Sequence, residues 1–235
     1  MRPADLPRFA IYLAPPADDP LRDVAARWLG YDVESGRLHA AEAAAGRNAT
    51  RIEALTAKPR AYGFHATIKA PFRLAEGSDE VALITALETF AASRRPIRLG
   101  ALKVAALGQF LALVPSSSSP ELVSLAADCV RDFDHFRAPL TEADLARRHA
   151  VPLSERQEQL LATWGYPYVL DEFRPHFTLT GAIEDEAERA SVAAHLARLM
   201  ERFTRVDYLV EDLCLFIQPA ADRPFRIAGR YRLGG

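Results

Sequence analysis

Cysteine is scarce in this sequence. Its 235 residues hold only Cys129 and Cys214, far apart and without a CxxC or Cys/His pairing, so neither a disulfide framework nor a structural zinc site is indicated. Both sit among apolar neighbours and read as small buried hydrophobes. An excess of one charge is missing too. With 29 Lys and Arg against 31 Asp and Glu, the formal net charge of -2 excludes the global basic field that drives affinity for a nucleic-acid backbone. No stretch approaches the ~18 apolar residues of a membrane helix. The N-terminal "MRPADLPRFAIYLAPPADDP" has only a short apolar run broken by prolines and acids, so a cytoplasmic chain without signal peptide or membrane span is expected. What is present, 49% hydrophobic and 26% charged residues, suits a globular domain with a sizeable core.

The pattern of elements repeats. "RFAIYLAP" (8–15) predicts a first strand closed by Pro15-Pro16, and "DPLRDVAARWLG" (19–30) a helix that stops at Gly30. "YGFHATIKAPF" (62–72) predicts a strand. After it, "DEVALITALETFAAS" (79–93) keeps Val81, Ile84, Leu87 and Phe90 on a helical stripe, and "IRLGALKVAAL" and "QFLALVP" are strands parted by Gly108. Beyond the turn-rich "PSSSSP", Ser119 can cap the helix "PELVSLAADCVRDFDHF", and Thr141 and Ser154 open two more, the second closed by Gly165. "FRPHFTLTGAI" (173–183) is again a strand, with Pro175 at its beginning or on an edge. A helix over 184–203 and the strands "VDYLVEDLCLFIQP" and "FRIAGRYRL" complete a second β-α-β-β unit. His65 to Phe110 spans 45 positions and His176 to Phe225 spans 49, which supports duplication about a pseudo-twofold axis with the two histidines facing each other.

Alternation along a strand sets His65, Thr67 and Lys69 on one face of the first motif, and Arg174, His176, Thr178 and Thr180 on one face of the second. Two imidazoles, each with an ordinary pKa near ~6.5, can serve as general base and general acid at one working pH. Thr67 and Thr178 can donate to non-bridging phosphate oxygens, while Lys69 and Arg174 can supply the positive charge a phosphodiester needs. Tyr62, on the other face by strict alternation, needs a bulge or the strand's end to reach the cleft. A two-histidine metal site is the poorer reading, because each motif offers one imidazole and no carboxylate. One HxT alone reads as a satisfied structural histidine. Two copies 111 positions apart, each opening the same unit, point to a site, whereas His39, His135, His149 and His195 read as surface or structural residues.

The motifs "HATIK" and "HFTLT" resemble the paired H-x-T/S signatures of the two-histidine (2H) phosphoesterase superfamily, which includes cyclic-nucleotide phosphodiesterases and 2′-5′ RNA ligases. "RFAIYLAPP", "YGFHATIKAPFRL", "FLALVP", "LAADCVRDFDHFRAPL" and "WGYPYVLDEFRPHFTLTG" resemble one uncharacterised branch, phosphonate metabolism proteins found beside carbon–phosphorus lyase genes. The resemblance implies an α+β fold, with duplicated halves and two antiparallel sheets flanking a central cleft. Residues 1–235 would form a single bilobal domain, the first motif's lobe at about 60–115 and the second's at about 170–233. It carries His65, Thr67, His176 and Thr178 over as catalytic, with Lys69, Arg174, Thr180 and Tyr62 as substrate-binding candidates beside them and no metal or cofactor. The activity it implies is hydrolysis of a small cyclic phosphate, a ribosyl cyclic phosphate by the branch's genomic company. A non-catalytic phosphometabolite-binding protein and a 2′,3′-cyclic nucleotide or RNA-end phosphodiesterase or ligase stand as alternatives. The expected partner is a small anionic phosphate ester, with no membrane and RNA limited to short ends.

Overall fold

Strand β1 (Arg8–Leu13) shows how the sheet uses its two faces. Phe9, Ile11 and Leu13 point to one side and Ala10 and Tyr12 to the other, and both sets are buried because both sides are covered. The computed structural model describes residues 6–234, so the first five residues of the N-terminal stretch read above lie outside it.

Helices α1 (Pro20–Leu29) and α2 (Ala49–Arg60) follow, then β2 (Ala66–Phe72), α3 (Glu80–Ala92), β3 (Ile97–Gly100), β4 (Leu102–Leu107) and β5 (Phe110–Pro115). The middle of the chain is helical, with α4 (Pro120–Asp132), α5 (Glu142–Arg148) and α6 (Glu155–Trp164). Then come β6 (Phe177–Thr178), α7 (Glu186–Leu199), β7 (Tyr208–Val210), β8 (Asp212–Gln218) and β9 (Arg226–Arg232). Helices begin where a short polar side chain can take up an orphan amide. Ser119 accepts from Leu122, and Thr141 and Ser154 form capping boxes with Asp144 and Gln157. Gly30 and Gly165 end α1 and α6 in the left-handed conformation.

The fold is α+β with antiparallel sheets, and its topology corrects the expected pair of sheets. One seven-stranded sheet runs β4-β5-β6-β2-β1-β8-β9, with a separate β3-β7 ribbon. The two halves are joined because β6 pairs with β2 at Ala66↔Phe177 and with β5 at Leu113↔Phe177. Element order nevertheless repeats: β2-α3-β3-β4-β5 is followed by β6-α7-β7-β8-β9, and the corresponding strands pair, β2 with β6 and β3 with β7. β1 then inserts between β2 and β8.

Three strands are shorter than expected, each for a local reason. The run 97–107 breaks at Gly100, whose φ of +67° turns the chain between β3 and β4. The run 208–218 is shared between β7 and β8. In 173–183 only Phe177 and Thr178 are strand: Pro175 has no amide to give, and a 3-10 turn over Leu170–Glu172 precedes it.

The main core lies on the helix side of the sheet. Phe9, Ile11, Ile68, Leu111, Phe177 and Leu215 meet Leu83, Leu87 and Phe90 of α3, Leu122 and Cys129 of α4 and Val192 and Leu196 of α7. Each such large side chain, fully buried, contributes roughly 1.5–3 kcal/mol. A smaller cluster of Ala10, Tyr12, Tyr31, Val33, Cys214, Phe216 and Phe225 lies on the opposite face. No described helix is long and apolar enough to cross a membrane.

Candidate active site

The two motif strands lie side by side at the middle of the sheet. Because Ala66 and Phe177 are paired and face the core, the antiparallel register sets His65 across from Thr178 and His176 across from Thr67, on the face away from the helices. The arrangement is crosswise, each histidine opposite the other motif's threonine.

The two imidazoles are anchored in the same way. His65 Nδ1 lies 2.9 Å from the Gly63 carbonyl and His176 Nδ1 lies 2.7 Å from the Arg174 carbonyl, in each case two residues upstream. A carbonyl only accepts, so Nδ1 carries the proton in both rings and Nε2 is the unprotonated nitrogen of each neutral imidazole. Thr67 Oγ1 lies 3.3 Å from His65 Nε2 and donates to it. Gly63 is required for this geometry: its φ is +71°, and a β-carbon there would sit 1.8 Å from Val33 Cγ1. Tyr12, paired with Thr67 on β1, stacks on the His65 ring at 3.9 Å, and Phe110 lies 5.6 Å from the His176 ring.

Burial sets the charge state of the pair. It pushes His65 down to about 4, against the pull of the Gly63 carbonyl, and the neighbouring His176 lowers it further. Burial also lowers His176, opposed by the Arg174 carbonyl. Burial thus favours the neutral form of both rings, with Nε2 as the acceptor of each. An anion placed between them would raise both pKa values and draw protons in.

Of the other sequence candidates, Lys69 does not share this face. The register slips from Ile11↔Lys69 to Tyr12↔Thr67, a bulge that turns Lys69 to the helix side, where Nζ donates to the Val130 carbonyl at 3.1 Å and faces Asp134 at 3.4 Å. Thr180 is buried with its hydroxyl spent, accepting from the Leu111 amide at 3.0 Å and donating to the Gly181 carbonyl at 2.8 Å. The Arg174 carbonyl holds His176, while the residue itself is exposed. Tyr62 does come near, its ring 6.1 Å from that of His65, because residues 61–63 turn ahead of β2 and strand alternation does not apply to them. Tyr12 escaped sequence reasoning. Its place depends on the pairing of β1 with β2, which no local pattern carries. Among the described residues, no three His, Cys, Asp or Glu side chains converge where a metal ion could be held.

Solved structures similar to this chain include one described as a phosphoesterase, with a TM-score of 0.43 and 13% identity, covering 97% of this chain and 99% of that one. E. coli LigT complexed with NADP+ gives a TM-score of 0.43 and 15% identity, covering 97% of this chain and 98% of that one. Two curated relatives carry the name ribose 1,5-bisphosphate phosphokinase PhnN. The one from Janthinobacterium sp. (strain Marseille) is 42% identical over 75% of this chain and 39% of its own length. The one from Laribacter hongkongensis (strain HLHK9) is 37% identical over 94% of this chain and 50% of its own length. The chain thus spans half or less of the curated relatives it matches. Their name overturns the expectation of a hydrolase acting on a cyclic phosphodiester: it is that of a kinase, a transferase. Over residues 67–226 the chain matches the model described as "Protein of unknown function (DUF1045)", and it belongs to that family.

Proposed function

We propose that this chain is the phosphorylated-ribose-handling part of a phosphoryl-transfer system of the kind its relatives are named for, and that a phosphate group of the sugar sits between His65 and His176. The observation that carries this reading is the matched anchoring of the two rings, each fixed through Nδ1 to a carbonyl two residues upstream and each leaving Nε2 unprotonated, that of His65 meeting the Thr67 hydroxyl. The Thr178 hydroxyl is a neutral donor to the phosphate oxygens, the Thr67 hydroxyl becomes one when His65 Nε2 takes up a proton, and the exposed Arg174 adds positive charge beside His176. Residues 1–235 are read as a single bilobal domain whose motif strands meet at the cleft.

The nucleotide half of such a transfer is assigned to the part of the relatives that this chain does not match. The chain's lysines are Lys58, Lys69 and Lys103, and none follows a glycine, so it carries no G-K-[ST] of a Walker-type phosphate loop. The role left to this chain is to seat the sugar phosphate and exchange protons with it.

Titration calorimetry with ribose 5-phosphate and ribose 1,5-bisphosphate tests this, on the wild type and on His65→Ala and His176→Ala. Binding is expected in the wild type and at least about tenfold weaker in each variant, since each loses a charge-assisted hydrogen bond. The sign of the pH dependence follows from the lowered pKa values: binding takes up protons, so affinity rises as pH falls from about 8 to about 6. Undiminished binding in both variants would remove the site. With ATP and ribose 1,5-bisphosphate the chain alone is expected to transfer no phosphoryl group, and transfer would place the nucleotide chemistry here as well.

A further inference from the structure

The face that carries Tyr12 continues along β1. Arg8, Ala10 and Tyr12 share it, because the β1–β8 register runs without a slip from Arg8↔Gln218 to Tyr12↔Cys214. Phe225 links the two ends of this face. Tyr62 stacks on Phe225 at 5.3 Å, and the Arg8 guanidinium lies over the same ring at 5.4 Å. Arg8 is half-buried and, among the described residues, spends only Nε, which donates to Gln218 Oε1 at 2.7 Å, so both Nη groups are left over there.

A second guanidinium approaches from the helical middle of the chain. Arg148, half-buried at the end of α5, stacks on Tyr166 at 4.6 Å, and Tyr166 lines a cavity with Lys69, Ala70 and Pro71 of β2, the strand paired with β1. Among the described residues neither Arg8 nor Arg148 has a carboxylate partner. Other arginines differ: Arg47 and Arg51 hold Glu188, Arg156 holds Asp171, and Arg230 holds Glu34. A partly buried guanidinium with unspent donors carries a desolvation cost that an anion would offset. Burial and the nearby Arg147 already lower the Arg8 pKa. Two guanidiniums and two phenol hydroxyls make more donors than a carboxylate can accept, which favours phosphate with its three terminal oxygens.

We propose that Arg8 and Arg148, with the hydroxyls of Tyr62 and Tyr166, form a second phosphate subsite beside His65, so that the cleft takes a sugar carrying two phosphate groups, one at the histidines and one at the arginines. This rests on reading the histidine pair as a phosphate site. Along β1, Arg8 and Tyr12 are about 13 Å apart, a span that a five-carbon sugar phosphorylated at both ends and an arginine side chain can bridge together.

The test compares ribose 1-phosphate, ribose 5-phosphate and ribose 1,5-bisphosphate by calorimetry on the wild type, Arg8→Met and Arg148→Met. The reference ligand is the monophosphate whose binding is lost in His65→Ala. The wild type is expected to prefer the bisphosphate to that monophosphate by about tenfold or more, one added charge-assisted contact or better. Each arginine variant is expected to lose most of this preference while the reference affinity stays within about twofold. Because Arg8 also anchors Gln218, Arg148→Met carries the comparison if Arg8→Met does not fold. Monophosphate binding with no bisphosphate advantage, or equal losses for both ligands in the variants, overturns the subsite and leaves the histidine reading standing. Absence of binding by every ribose phosphate overturns both.

Discussion

At the scale of the residue, His65 joins the stability of the fold to the chemistry of the site. In the unfolded chain its imidazole titrates near ~6.5. In the fold, burial and His176 push it down to about 4. Between these values the unfolded chain holds a proton that the folded one does not, so this contribution to stability is complete above about pH 6.5 and is lost as pH falls toward 4. His65→Gln keeps a polar side chain of similar reach and removes the titration. The urea midpoints of wild type and variant, compared at about pH 7.5 and about pH 5, should show the wild type losing more on acidification. An equal loss in the two would assign the acid sensitivity to other groups, the lowered His176 first among them.

At the scale of the element, the bulge between β1 and β2 decides what each side chain of the first motif can touch. Alternation read from "HATIK" holds through Thr67 and fails at Lys69, which lies on the side of α4. Lys69→Met tests this: the flexible apolar chain fills the same space, and Asp134 keeps its two bonds from Arg137, at 2.8 and 3.0 Å. Stability should change by no more than about 1–2 kcal/mol and ribose-phosphate affinity hardly at all. A folded Lys69→Met protein without phosphate binding would return Lys69 to the site. The same contrast explains what was legible in the sequence. The helix starts at Ser119, Thr141 and Ser154 could be read because a cap joins residues three apart. The His-Thr pairs were legible because they recur. The bulge, the stacking of Tyr12 on His65 and the reach of Arg8 to Phe225 were not, since each depends on which strand lies beside which, and strands distant in sequence set that.

At the scale of the whole molecule, the two units are interlocked. β6 of the second unit lies between β5 and β2 of the first, while β1 at the N-terminal end bridges β2 to β8. The helices are exchanged as well, α3 packing on β8 and β9 and α7 on β4 and β5. A cut in the "PSSSSP" turn would therefore strip a partner from every strand of the first half except β4: β1 would lose β8, β2 and β5 would both lose β6, and β3 would lose β7. It would also leave the apolar faces of α3 and α7 uncovered. Neither fragment can replace that burial from its own residues, so residues 6–118 and 119–234 expressed separately are expected to lack cooperative unfolding transitions. The intact chain should melt in one transition, with far-UV and near-UV circular dichroism coincident. Two transitions, or a folded isolated fragment, would show that the lobes are independent. Since the histidine pair is built from one strand of each unit, a bound ribose phosphate should raise the midpoint of that single transition as a whole, by the logarithm of its concentration over its Kd.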